Sequence, residues 1–98
     1  MIRIQIIGQR NARIQPLIRE AIKSGKLRTF RVSKVKRGLK IRHKTYLGSI
    51  TFATTRSILN ATLRSRGADQ ESLLLGAFVG RLADHFKDSI SAVNIQFQ

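Results

Sequence analysis

A chain of 98 residues is long enough for one domain with a modest core, burying roughly two-thirds of the surface its unfolded form exposes. Its 42% apolar content, single Pro and seven Gly exclude a low-complexity or disordered chain. Nineteen Lys and Arg against five Asp and Glu give a net charge of +14, and the absence of Cys excludes disulfides, thiolate metal sites and cysteine nucleophiles.

The charge is unevenly spread. Residues 1–20 carry four Arg against Glu20, residues 21–68 carry thirteen Lys and Arg and no acid, and residues 69–98 carry two bases against four acids. The start "MIRIQIIGQR" lacks the apolar segment and cleavage site of a secretory signal. No apolar run approaches the roughly 20 residues of a membrane span. A cytoplasmic protein with no membrane association is therefore expected, as one basic α+β domain over 1–98.

In chain order, Ile2, Ile4 and Ile6 alternate with Arg3 and Gln5, the pattern of a strand with one buried face, ending at Gly8. From Asn11 to Ser24, Ile14, Leu17, Ile18, Ala21 and Ile22 recur at helical spacing, with Gly25 placed as C′. Pro16 falls near the helix start, where a missing N–H is harmless.

Residues 28–65 read as a four-stranded antiparallel meander. A two-residue turn at Arg37-Gly38 pairs Val32 with His43 and Phe30 with Thr45. A turn at Leu47-Gly48 sets Ile50 beside Thr45, and one at Arg56-Ser57 sets Ala61 beside Phe52 and Leu63 beside Ile50. All three hairpins give the core the same parity, which a one-residue slip would reverse. The inward face carries Phe30, Val32, Leu39, Ile41, His43 and Thr45. A second helix follows, with Asp69 as N-cap and Leu74, Leu75, Phe78, Leu82 and Phe86 as its apolar stripe. A closing strand has Val93, Ile95 and Phe97 on its core side. The predicted order is β-α-β-β-β-β-α-β, an antiparallel meander sheet with both helices packed on one face.

The opposite face then holds Arg31, Ser33, Lys40, Arg42, Lys44, Tyr46, Ser49, Thr51, Asn60, Thr62 and Arg64. Cations neutralise phosphates, hydroxyls and amides donate to phosphate or sugar oxygens, and an exposed aromatic stacks on unpaired bases. A nucleic-acid partner, DNA or RNA, is expected, bound through Arg31, Lys40, Arg42, Lys44, Tyr46 and Arg64, with Lys26, Arg28, Lys36 and Arg37 extending the patch. A merely solvated sheet face is also rich in Thr, Lys and Arg, but it has no need to exclude Asp and Glu. "LGSITFAT" lacks the aromatic pair of an RRM.

His43 and His85 are too far apart in sequence, with no carboxylate cluster beside them, to suggest a metal site, and no cofactor is expected. The enzymatic alternative is a small ribonuclease in which His43 or Tyr46 moves a proton while Arg42, Lys44 and Arg64 hold the phosphate. A further alternative is a structural or assembly subunit of a protein or ribonucleoprotein complex. Gly76 and Gly80 permit close packing of the second helix, within the monomer or across a homodimer.

Overall fold

The computed structural model describes residues 1–56 and 58–98. Six strands, β1 (Ile2–Gly8), β2 (Phe30–Ser33), β3 (Leu39–His43), β4 (Ser49–Thr55), β5 (Ile58–Arg64) and β6 (Ile90–Phe97), accompany helices α1 (Ile14–Lys23) and α2 (Ala68–Phe86). The strands form one antiparallel sheet in the order β2-β3-β4-β5-β1-β6. The expected α+β architecture is present, with β1 inserted between the end of the meander and β6.

Alternation sorts the strand residues by face. Ile2, Ile4, Ile6, Phe30, Leu39, Ile41, Ile50, Phe52, Leu59, Ala61 and Leu63 point to one side and are buried. Both helices cover that side, α1 through Ile14, Ile18 and Ala21, and α2 through Leu74, Phe78, Leu82 and Phe86, spaced four apart along one stripe. Phe78 fixes α2 to the sheet, its ring centroid 6.3 Å from Phe30 and 5.7 Å from Phe52. Among the described residues the core contains no buried polar or charged residue. Gly25 ends α1 as expected, with φ of +85° and its N–H bonded to the Ile22 carbonyl.

Registers differ from the sequence reading in two of three hairpins. Phe30 pairs with His43 and Val32 with Ile41, a two-residue slip, because β2 and β3 are joined by the five residues 34–38 rather than a tight turn. Ile50 pairs with Ile41 and Phe52 with Leu39, a slip of four, because β3 ends at His43. Both slips are even, so Phe30, Val32, Leu39, Ile41 and His43 stay inward, whereas Thr45 lies beyond the end of β3 and is exposed. Between β4 and β5 the predicted pairs Phe52–Ala61 and Ile50–Leu63 are both present, with Thr54 opposite Leu59 in the same register. Of the Arg56-Ser57 turn, Arg56 has φ of +49° and Ser57 lies outside the described residues.

Three smaller expectations change. Gly67, not Asp69, is the N-cap of α2, and Asp69 sits with Glu71 in the first turn, where carboxylates still favour the helix dipole. Residues 9–11 form a 3-10 turn before α1, so the helix starts at Ile14. A Cβ on Gly76 or Gly80 would meet nothing within 4 Å, so neither glycine serves close packing within the chain.

Candidate nucleic-acid interface

The side of the sheet away from the helices is built by the odd partners of each alternation. Cross-strand pairing lines its residues in rows, since directly opposed residues share a face. One row crosses all six strands as Ser33, Lys40, Thr51, Thr62, Arg3 and Gln96. The next holds Ala53, Asn60, Gln5 and Asn94. At the β2–β3 end, Arg31 lies directly opposite Arg42, while Ser49 faces Arg64. Six strands span about 24 Å at the usual spacing.

Charge is partitioned between the layers. The six strands contain no Asp or Glu, and their five Lys and Arg, namely Arg3, Arg31, Lys40, Arg42 and Arg64, all lie on this open face. The five acids are Glu20 on α1, Asp69, Glu71 and Asp84 on α2, and Asp88 just after it. Ion pairs among the described residues join the Met1 amino group to Glu71 (3.1 Å) and Arg81 to Asp84 (3.8 Å). None involves a cation of the open face.

Two concavities give the face relief. A shallow depression of about 280 Å³ is lined by Arg3, Gln5, Asn60, Thr62 and Gln96. Around the β2 edge, Lys23, Arg28, Arg31 and Lys44 line a groove of about 420 Å³. Lys44 follows β3 directly and is exposed, its N–H bonded to the Thr29 carbonyl at 2.8 Å. Lys26 and Arg28 are exposed on the turn into β2. Lys36 and Arg37 are exposed on the β2–β3 connection, whose far end is tied to α1 by Arg19 Nη2 donating to the Gly38 carbonyl at 3.0 Å. Seven exposed cations, Lys23, Lys26, Arg28, Arg31, Lys36, Arg37 and Lys44, thus lie on or beside β2 and its flanking turns.

Tyr46 is not on that face. The N–H groups of Thr45 and Tyr46 donate to His43 Nδ1 at 3.0 and 3.1 Å, turning the chain out of the ladder. Tyr46 thereby stacks on the His43 ring, 4.6 Å between centroids and 14° between planes. The pair lies on the helix side, beside Gly76, Ala77, Gly80 and Arg81 of α2, with Phe30 edge-on to His43 at 4.9 Å. Burial, and secondarily the charge of Arg81, hold the imidazole below the ordinary histidine pKa. Two donors at Nδ1 require it unprotonated, so the ring proton belongs on Nε2. His43 and Tyr46 are thus separated by the sheet from Arg42 and Arg64, and the grouping that the ribonuclease alternative needs is not brought together. Phe97, expected in the core, is on the helix side but 71% exposed, because β6 is the outer strand and extends past the helices' cover.

Arg3, Gln5, Asn94 and Gln96 belong to the face but were absent from the sequence-derived patch. The alternation in 2–7 already turned Arg3 and Gln5 away from the core; what the sequence does not contain locally is that β1 lies beside β5. Among the described residues no helix is long and apolar enough to cross a membrane. No known protein family, curated protein or solved structure matches the chain.

Proposed function

We propose that the protein binds nucleic acid through the open face of its sheet, chiefly by phosphate contacts. The observation that carries this reading is the charge partition: every charged strand residue is a cation on one face, culminating in Arg31 opposite Arg42 with no carboxylate beside them. Like charges directly opposed on a sheet destabilise it. A phosphate between the two guanidinium groups turns that repulsion into paired, charge-assisted hydrogen bonds. Thr51, Thr62, Asn60, Gln5 and Gln96 supply further donors for phosphate and sugar oxygens.

With Tyr46 on the helix side and the Phe residues buried or on that side, the described open face offers no aromatic platform for unpaired bases. Backbone contacts to a duplex therefore fit it better than stacking on a single strand. The test is fluorescence anisotropy with a duplex and a single strand of the same length. Replacing Arg31 and Arg42 together by Gln is expected to weaken binding to unrelated duplexes alike and to lower the salt slope by about 2. Replacing Arg81 and Lys87 by Gln removes the same charge from the helix side and leaves the slope unchanged. Equal losses from both double variants would refute the assignment to this face.

A further inference from the structure

The two edges of the sheet are built differently. β2 is four residues long, carries Arg31 and runs into Lys34, Lys36 and Arg37, all devices that discourage another strand from adding on. β6 is eight residues, Ile90–Phe97, with no charge, Pro or Gly. Its register shift is confined to the Ile7/Gly8 end, leaving Ala92–Phe97 regular.

The direction of its free main-chain groups follows from the ladder. The Gln98 N–H donates to the Met1 carbonyl, and bonded residues alternate along an antiparallel strand. Gln96, Asn94 and Ala92 thus bond to β1, opposite Arg3, Gln5 and Ile7, while Val93, Ile95 and Phe97 direct N–H and C=O outward. Their side chains are also those on the helix side, opposite Ile6, Ile4 and Ile2. An unmet row of donors and acceptors and an exposed Phe97 therefore coincide on one edge.

We propose that β6 pairs antiparallel with β6 of a second copy, centred on Ile95. A two-fold axis there sets Ile95 against its own counterpart, Val93 against Phe97 of the other copy and Phe97 against Val93. The three outward residues of each chain then make six main-chain hydrogen bonds, and Phe97 packs over Val93 across the seam. On the open face Asn94 meets Gln96 of the other copy, so the polar surface continues without a break.

Charge selects a second copy approaching by this edge. Residues 1–68 carry seventeen bases and one acid, a net of +16, whereas residues 69–98, which include α2 and β6, carry two bases and four acids, a net of −2. This last third of the chain is the part that an identical chain can approach without strong repulsion. The nearest sheet cation, Arg3, lies one strand in, so the two Arg3 residues stand three strand spacings apart, about 14 Å. That exceeds the Debye length of about 8 Å at physiological ionic strength.

The test is sedimentation of nuclease-treated protein, with cross-linking to read the register. The expected mass at about 100 µM is near 22 kDa, twice the 11.1 kDa chain. Phe97→Lys should raise the dimer dissociation constant about 10- to 100-fold without lowering the melting temperature of the monomer, because Phe97 is already exposed. The chain lacks Cys, so Ile95→Cys alone should oxidise to a covalent dimer, its opposed Cα atoms being about 5.5 Å apart and within disulfide reach. Val93→Cys alone should not. A wild-type mass of one chain, or a Phe97→Lys protein that remains dimeric, overturns the proposal; cross-linking at 93 in preference to 95 overturns the register.

Discussion

Arg42→Thr tests whether the open face stores electrostatic repulsion. Arg42 faces Arg31 across a bonded strand pair, with Cα atoms about 4.5–5.5 Å apart and flexible side chains that can splay their charges to roughly 8 Å. At that separation in water two unit charges repel by about 0.5 kcal/mol, inside the range of roughly 0.2–1 kcal/mol for cross-strand pairs. For a domain of this size 1 kcal/mol shifts Tm by about 4–8 °C, so the variant should melt about 2–4 °C higher at low ionic strength. Thr also suits a strand, and that part of the gain does not depend on salt. The assay is thermal melting followed by circular dichroism at low salt and at about 1 M, where screening acts within about 3 Å and should abolish the electrostatic part. A gain of equal size at both salts, or a lower Tm at low salt, refutes the reasoning.

The remaining predictions concern other elements. Gly76→Ala with Gly80→Ala should stabilise α2 by about 1 kcal/mol per site, as Gly in a helix interior costs about that much and a Cβ at either meets nothing within 4 Å; destabilisation in a denaturant titration would mean that this helix face is covered in solution. Gly48→Ala should destabilise by about 1–3 kcal/mol, since Gly48 has φ of +125° and a Cβ there would run into the Arg64 carbonyl. For His43 the folded-state pKa is depressed, so on acidification the unfolded chain takes the proton first. Its contribution is complete above the unfolded value of about 6.5 and is lost as pH falls toward the folded pKa. His43→Asn, whose amide oxygen accepts the same N–H groups without titrating, should therefore lose less stability than wild type between pH 7 and 5; parallel curves would contradict the assignment.

The faces of the sheet were legible in the sequence because Ile and Phe alternate with Lys and Arg, and parity survives any even slip. Strand ends were not. The apolar parity of Phe30 and Val32 breaks at Lys34, Val35 and Lys36, where β2 has already stopped at Ser33, so a tight turn at Arg37-Gly38 puts the pairs two residues out. Tyr46 leaves the predicted face for a related reason: strand parity does not run on through Lys44 and Thr45, where His43 Nδ1 draws in two backbone N–H groups. A side-chain cap of this kind leaves no periodic trace. Arg3 was missed because its place on the face depends on β1 pairing with β5, residues about sixty apart in sequence.

The phosphate-binding claim is tested most directly by duplex affinity as a function of salt. If Arg3, Arg31, Lys40, Arg42 and Arg64 each neutralise one phosphate, the slope of log affinity against log salt is about −4.5, a loss of roughly five-hundredfold between 50 and 200 mM. Replacing Arg31 and Arg42 by Gln should bring that slope to about −2.7. A flat salt response in the wild type, or a slope that the double replacement leaves unchanged, would contradict the account.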